Sequence, residues 1–148
     1  MTLSGKKILV GITGGIAAYK TYELIRQLIK LNTEVKTVIT PSAKEFVTET
    51  TLRTLTRNPV FCEQFKVNDW KPEHISLADS HDLFIIAPAS ANTIGKIANG
   101  ICDNLLTSLV IAFKNPVLIA PAMNCNMWNN ISVQKNIQTL KDQGIIII

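Results

Sequence analysis

Two histidines are the side chains of this sequence best suited to proton transfer near neutral pH. His74 lies in an irregular stretch before an apolar run, where an imidazole can project into a cleft and act as a general acid or base. His81 stands beside Asp82 at the start of that run, at the end of the predicted strand opposite to the site. Neither imidazole has a serine or cysteine partner that the sequence can place, so a hydrolytic triad has no support. A surface or structural role is the alternative for both.

A glycine-rich turn at residues 11–18 offers a second kind of chemistry, the binding of phosphate. Gly14 and Gly15 end an apolar run, and a helical pattern follows, so backbone N–H groups and the helix dipole can receive an anion. The turn does not match G-x-G-x-x-G, and residues 38–40 lack the acidic side chain that holds a dinucleotide ribose, which disfavours NAD. Tyr19 stands where a nucleotide P-loop needs a glycine. The alternative is that the glycines only form a tight turn.

A second polar loop, residues 87–93, follows an apolar run and precedes a helical pattern. Its small hydroxyl and amide side chains can hydrogen-bond a phosphate or a polar ring edge. The alternative is that Ser90 simply caps the helix.

A third polar loop begins at Pro121. Asn124 can bind a carboxylate through its amide, and Met123 and Trp128 can supply apolar walls. For Met127 and Trp128 the alternative is packing in the core or at a subunit interface.

These loops need a scaffold that brings them together, and the spacing of the apolar residues predicts one. Short apolar runs predict strands, and apolar residues at 3.6-residue spacing predict helices. The predicted strands are residues 8–12, 35–40, 83–87, 117–120 and 145–148, the last a buried strand of four isoleucines. The predicted helices are residues 16–31, 43–55 with one break, 90–113 as one or two helices, and 129–143, with a long loop at 60–79 that carries Asn68-Asp69 and Lys71-Pro72.

Strands that alternate with helices predict a three-layer αβα fold of the flavodoxin or Rossmann type with a parallel sheet. Ligand-binding loops should then lie at the carboxyl ends of the strands, at residues 13–16, 40–42, 88–93 and 121–126. We expect one domain over residues 1–148, truncated at its C-terminus, because a natural domain rarely stops at a buried strand.

Composition narrows the class of protein. The net charge of +4 is spread along the chain, which favours small anionic ligands over nucleic acid. The three cysteines, Cys62, Cys102 and Cys125, lack the spacing of a disulfide framework or a zinc site, so we expect no metal and a reducing cytoplasm. We interpret Cys102, in a predicted helix, and Cys125 as small packing residues. No apolar run is long enough for a membrane span.

Five motifs taken together resemble the flavin-containing cysteine decarboxylase family. They are residues 13–20 (TGGIAAYK), His74-Ile75, 88–93 (PASANT), 98–106 (ANGICDNLL) and 121–128 (PAMNCNMW). The family includes phosphopantothenoylcysteine decarboxylases of coenzyme A biosynthesis and decarboxylases of peptides that end in cysteine. The first motif looks like the coenzyme A branch, whereas the third and fourth are also similar to the peptide branch. Flavin prenyltransferases share the fold, but the last motif argues against them.

The resemblance implies a site for flavin mononucleotide (FMN) and a role for particular residues. His74 matches the family's active-site histidine, and Asn124 matches the asparagine that recognises the substrate carboxylate, with Ala122 and Met123 beside it and the flavin ring near the Ala122 loop. The implied FMN contacts are Thr13, Gly14, Gly15, Ile16, Thr40, Ser90, Asn92, Thr93 and Asp103.

The implied reaction converts 4′-phosphopantothenoyl-L-cysteine to 4′-phosphopantetheine. A cysteine carboxylate lacks an electron sink, and oxidation of the thiol by FMN to a thioaldehyde would provide one. His74 would assist proton removal, and Asn124 would orient the carboxylate. A cysteine flap that serves the final reduction in the family would follow Ile148, so a chain ending there would stall before that step.

The resemblance also implies a homotrimer, or a multiple of trimers, and a fused or separate phosphopantothenoylcysteine synthetase. Two alternatives stay open: a decarboxylase of a peptide C-terminal cysteine, and a flavin-binding regulatory subunit without turnover.

Overall fold

A computed structural model describes residues 2–64 and 73–148. Its centre is a six-stranded sheet in which every pair of neighbouring strands is parallel, in the order β3-β2-β1-β4-β5-β6. The strands are β1 (Lys7–Ile12), β2 (Glu34–Ile39), β3 (Val60–Phe61), β4 (Leu83–Ala89), β5 (Val117–Pro121) and β6 (Ile146–Ile147). The predicted αβα fold with a parallel sheet is confirmed.

Helices cover both faces of the sheet. They are α1 (Thr21–Lys30), α2 (Glu49–Thr56), α3 (Glu73–Ser80), α4 (Ala91–Ala98), α5 (Leu105–Ala112), α6 (Cys125–Trp128) and α7 (Ile131–Asp142). Apolar residues of α1 and α2 pack with one face of β1, and those of α3, α4, α5 and α7 pack with the opposite face of the sheet. No described helix combines the length and the apolar character that a membrane crossing needs.

The strand order reverses between β1 and β4, and this positions the candidate site. From β1 the chain continues outward through β2 and β3, then returns to β4 on the other side of β1. Helices that follow β1 and β4 therefore leave on opposite faces, which opens a crevice at the carboxyl ends of these two strands. The glycine turn after β1 and the Ser90 loop after β4 meet there.

The prediction of a loop at residues 60–79 is wrong at two places within the described residues. Val60 and Phe61 form β3, a two-residue strand paired with β2, and Glu73–Ser80 form α3. A two-residue edge strand is too short to show a period, and the buried residues of α3, Leu77 and Ala78, are adjacent instead of spaced by three or four. The predicted turns Asn68-Asp69 and Lys71-Pro72 lie outside the described residues.

Other predicted bounds shift less. The break in the 43–55 helix is confirmed, because a 3-10 turn at Pro41–Glu45 precedes α2. Residues 90–113 form two helices, α4 and α5. The prediction that the terminal isoleucines are buried is wrong: Ile146 and Ile148 are 48% and 67% exposed, because β6 is the edge strand of the described sheet.

Candidate functional site

The turn after β1 lies against the turn after β2. A Cβ atom at Gly14 would lie 2.5 Å from the Ser42 hydroxyl oxygen, so only glycine permits this approach. The Thr40 hydroxyl, which is buried, lies 3.2 Å from the same Ser42 oxygen. Ser42 belongs to the predicted 40–42 loop but was not among the predicted site residues. Its signal in the sequence is a small hydroxyl just after a strand.

Gly15 differs from its neighbour. A Cβ atom there would meet nothing within 4 Å. Its backbone is extended, and a 3-10 turn at Ile16–Lys20 begins directly after it. Ile16 is 77% exposed. Open space above backbone amides at the start of a helical segment is the geometry that admits a phosphate.

The Thr13 side chain joins the ends of β1 and β4. Its hydroxyl is 1% exposed, donates to the Pro88 carbonyl oxygen at 2.7 Å and accepts from the Ser90 amide at 2.8 Å. The Thr13 amide also donates to the Pro88 oxygen, at 3.2 Å. Because both of its donors are engaged, Thr13 has none left for a ligand.

Ser90 caps α4. Its hydroxyl accepts from the Thr93 amide at 3.2 Å, so the capping interpretation is confirmed, and it lies 3.3 Å from the Thr93 hydroxyl. Thr93 is buried, whereas Asn92 is exposed at the first turn of the helix. The first-turn N–H groups of a helix lack intrahelical acceptors and carry the positive end of its dipole, so this terminus favours an anion.

Asp103 lies between α4 and α5. Its carboxylate accepts a 2.7 Å hydrogen bond from the Lys96 ammonium and remains about half exposed. It lines a cavity of about 470 Å³ with Pro41, Lys44, Gln64 and Asn104. Because Asp103 and Pro41 line the same cavity, Asp103 lies near the loop after β2 that holds Thr40 and Ser42.

His74 is in the first turn of α3, not in a loop as predicted. Because α3 connects parallel strands, it runs back toward the amino edge of the sheet, and its first turn lies on the carboxyl side. The side chain is half-buried, and its Nδ1 atom is buried with no hydrogen-bond partner in the described part of the chain. A buried imidazole nitrogen without a partner is a candidate to bind a ligand or exchange a proton with it.

His81 lies just before β4, at the end of the sheet opposite to the site, as predicted. It is 2% exposed, and its Nδ1 atom lies 2.8 Å from the Leu77 carbonyl oxygen. Burial lowers the pKa of this imidazole, because a charged ring would lose its hydration, although the Leu77 contact opposes the shift. Its Nε2 atom is buried and has no partner among the described residues. His81 is therefore a structural residue at the amino edge.

The Asn124 loop follows β5. The Ala122 amide donates to the Ala89 carbonyl oxygen at 3.1 Å, which ties this loop to the end of β4. The Asn124 side-chain oxygen caps α6 by accepting from the Asn126 amide at 2.8 Å. The amide NH2 group of the exposed Asn124 then remains as the donor that a carboxylate needs.

A cavity of about 390 Å³ adjoins this loop, lined by Pro121, Ala122, Met123, Cys125 and Trp128 among others. Trp128 and Met123 are half-buried against the main core, so they combine a packing role with a cavity wall. Met127 is 48% exposed.

The interpretation of Cys102 and Cys125 as packing residues is wrong, because both are exposed. Cys102 lies between α4 and α5, not in a helix: α4 ends at Ala98, and Gly100 follows with a left-handed backbone of φ +69°. Cys125 begins the short helix α6. Across residues 2–64 and 73–148, no three His, Cys, Asp or Glu side chains form a group that could hold a metal ion.

Two sequence relatives resemble the chain along nearly its whole length. The coenzyme A biosynthesis bifunctional protein CoaBC of Vibrio parahaemolyticus is 45% identical over 147 residues, 99% of this chain and 37% of that protein. The chain therefore spans little more than a third of that relative. A probable phosphopantothenoylcysteine decarboxylase of Streptococcus mutans is 44% identical over 142 residues, 94% of this chain and 79% of that protein.

Solved structures resemble the fold closely. A PPC decarboxylase mutant complexed with pantothenoylaminoethenethiol has a TM-score of 0.88 at 34% identity, over 97% of this chain and 81% of that chain. Peptidyl-cysteine decarboxylase EpiD has a TM-score of 0.84 at 36% identity, over 98% of this chain and 85% of that chain. The sequence profile of the family described as Flavoprotein matches residues 1–148. By that match along its whole length, the chain belongs to the Flavoprotein family.

Proposed function

We propose that the protein binds FMN and decarboxylates 4′-phosphopantothenoyl-L-cysteine to 4′-phosphopantetheine, as a carboxy-lyase of coenzyme A biosynthesis. The observation that carries the proposal is the buried Nδ1 atom of His74, which has no hydrogen-bond partner among the described residues and lies on the same edge of the sheet as the Asn124 amide and the glycine turn. The relatives named for coenzyme A biosynthesis and for phosphopantothenoylcysteine decarboxylation support it.

The chain's own residues fit FMN. Gly15 leaves open space at the start of a helical segment, and α4 begins in the loop after the neighbouring strand β4, where the Ser90 amide is bonded to Thr13. Backbone N–H groups at helix starts are the donors that a phosphate binds. The residues that would hold FMN are Thr13, Gly14, Gly15, Ile16, Thr40, Ser90, Asn92, Thr93 and Asp103. Within this set, Thr13 would act through loop position, since its hydroxyl and its amide both donate to the Pro88 carbonyl.

FMN would supply the reversible two-electron oxidation that lets the cysteine carboxylate depart as CO2. His74 would accept a proton from the substrate, through a nitrogen that no described protein group occupies. Asn124 would donate from its amide nitrogen to the substrate carboxylate while its oxygen stays bound to the Asn126 amide, which limits rotation of the side chain. Ala122 and Met123 would line the substrate's path beside it.

The test is a decarboxylation assay on the purified full-length protein. We expect a yellow protein with flavin absorbance that releases CO2 from 4′-phosphopantothenoyl-L-cysteine. Colourless protein that takes up no added FMN would overturn the cofactor assignment. FMN-loaded protein without CO2 release would overturn the catalytic one and leave a flavin-binding regulatory subunit.

The second candidate is decarboxylation of a peptide that ends in cysteine. The structural likeness to a peptidyl-cysteine decarboxylase favours it. A direct competition decides between the two: CO2 release from the phosphorylated cysteine conjugate should exceed that from a cysteine-ended peptide at equal concentration. Faster CO2 release from the peptide would identify the protein as a peptidyl-cysteine decarboxylase.

We further propose a homotrimer, or a multiple of trimers, that works in the cytoplasm with a fused or separate phosphopantothenoylcysteine synthetase. Apolar side chains exposed around the site support self-association: Ile16 is 77%, Tyr19 57% and Ile131 83% exposed. The bifunctional relative supports the synthetase. Light scattering on the eluting protein should give three times the subunit mass or a multiple of it, and a monomer would contradict the assembly.

A further inference from the structure

The end of β4 leaves the regular pairing of the sheet at the candidate site. Ile86 is aligned with Ile119 of β5, and the next aligned pair is Ala89 with Pro121. Ala87 and Pro88 therefore have no aligned partner in β5. Pro88 also has no amide hydrogen to donate, so other groups must hold this segment in place.

Two threonine hydroxyls from the first βα unit bind the carbonyls of this segment. Thr21 donates to the Ala87 oxygen at 2.8 Å, and Thr13 donates to the Pro88 oxygen at 2.7 Å. The two threonines are 2% and 1% exposed, so both side chains are largely shielded from bulk water. Thr13 follows β1 and Thr21 begins α1, so both bonds join the first βα unit to the end of β4.

The held segment is connected to both halves of the proposed site. The Ser90 amide donates to the Thr13 hydroxyl at 2.8 Å, which sets where the N-terminus of α4 begins. Ala89 accepts from the Ala122 amide at 3.1 Å, which attaches the Asn124 loop. A displacement of Ala87 and Pro88 would therefore move the proposed flavin contacts and the proposed substrate amide together.

Thr21 also lines a small cavity at this place. The cavity has a volume of about 190 Å³, and its other walls include Ala17, Lys20, Pro88 and Ala122. Of the lining residues, Thr21 and Lys20 have the side chains that can donate a hydrogen bond, and it is the Thr21 hydroxyl that bonds the Ala87 carbonyl.

We infer that Thr21 is a positioning residue of the flavin and substrate site, which acts with Thr13 by holding the carbonyls of Ala87 and Pro88 at the end of β4. The inference rests on the proposed function, since it concerns the affinity of that site for FMN and the alignment of its substrate. Thr21 does not contact the reacting atoms in this role.

The test is the isosteric variant Thr21→Val in the full-length protein, with Thr21→Ser as the variant that keeps the donor. Thr33→Val is the matched control. Thr33 is likewise buried, and its hydroxyl donates to the main-chain carbonyl of Leu28 at 2.8 Å. It lies just before β2, at the amino ends of the strands and therefore away from the site. For each variant, flavin fluorescence gives the FMN dissociation constant, thermal unfolding without FMN gives stability, and CO2 release gives kcat and KM.

We expect Thr21→Val to weaken FMN binding by about tenfold, the range of one buried hydrogen bond, and to lower kcat in the FMN-saturated protein. Thr33→Val should lose comparable thermal stability yet keep FMN affinity and kcat within twofold or so. Thr21→Ser should restore both properties. This pattern separates positioning from general stability.

Equal FMN affinity and kcat in Thr21→Val and Thr33→Val would overturn the inference while leaving the proposed function intact. Failure of the unaltered protein to bind FMN would instead sink the proposed function. If Thr21→Val does not fold, Thr21→Ala removes the same donor without placing a methyl group against the Ala87 oxygen, and the comparison with Thr33→Ala decides by the same criterion.

Discussion

Gly14 and Ser42 are in such close contact that a Cβ atom at Gly14 would lie 2.5 Å from the Ser42 hydroxyl oxygen and 2.7 Å from the Ser42 Cβ atom. Gly15, the next residue, has nothing within 4 Å of the same position. The two glycines therefore serve different purposes. Gly14 allows the turns after β1 and β2 to pack, and Gly15 leaves space for a ligand.

Gly14→Ala should destabilise the folded protein without FMN by about 1–3 kcal/mol, because the added methyl group forces the Ser42 turn to move. Urea unfolding followed by circular dichroism measures the loss. The second change Ser42→Gly removes the atoms that clash and should recover most of it; a double variant no more stable than Gly14→Ala would contradict this explanation.

Gly15→Ala should leave the stability nearly unchanged and weaken FMN binding instead. Its backbone is extended, a conformation that alanine adopts readily, so stability should stay within about 0.5 kcal/mol of the parent. FMN affinity should fall, since the methyl group enters the proposed phosphate space. Titration of FMN by fluorescence checks the second part, and unchanged affinity would remove Gly15 from the proposed site.

His74→Asn should leave FMN bound and reduce kcat by about a hundredfold or more, the usual contribution of a general acid or base. Stopped-flow absorbance of the flavin and CO2 release together locate the loss in the chemical steps. His81→Gln serves as the matched change, because His81 lies at the amino edge. Folded His81→Gln protein should keep its turnover, and equal losses in both variants would refute the assignment to His74.

Asn124→Asp should raise KM for the carboxylate substrate by about tenfold or more. Aspartate caps a helix as well as asparagine does, so α6 should persist, but a second carboxylate would repel the substrate's own. Asn130→Asp is the control, because Asn130 caps α7 in the same way, accepting from the Ser132 amide at 2.9 Å. Comparable KM changes in both variants would mean that charge alone, and not the position of Asn124, is responsible.

His81 should make the fold less stable in mild acid. Burial holds its pKa below the usual 6.5, so the unfolded chain binds a proton before the folded protein does as pH falls. Above pH 6.5 both states are neutral at this ring and it contributes no pH dependence; below it, stability declines until the folded-state pKa is reached. The slope from this one group is at most about 1.4 kcal/mol per pH unit.

Urea unfolding at several pH values below 6.5 measures this effect. In His81→Asn the slope of unfolding free energy against pH should be smaller by up to one proton's contribution, about 1.4 kcal/mol per pH unit. Nearby charges on Lys7, Glu34 and Lys36 influence the ring and remain in the variant, so they do not account for the difference. An unchanged slope would show that His81 is not the responsible group.

Local patterns predicted most of the scaffold. The apolar runs that became β1 and β4 are buried on both faces of the sheet, which is why they read as continuous instead of alternating. Ser90 was recognisable as a cap because the hydroxyl and the amide it binds are three residues apart. β3 and α3 were not predictable in this way, because packing against β2 and α5, and not their own periodicity, stabilises them.

By itself, the sequence determined the parallel αβα class, the loops at the strand ends and the residue types that resemble the family. The tertiary structure decided what those residues do for one another: that Gly14 packs on Ser42, that His74 keeps a buried nitrogen without a described partner, and that Thr13 and Thr21 hold the end of β4. The physical reason is distance along the chain. The bonds from Thr21 to Ala87 and from Thr13 to Pro88 span 66 and 75 residues, and periodicity reports only on neighbours within a few turns.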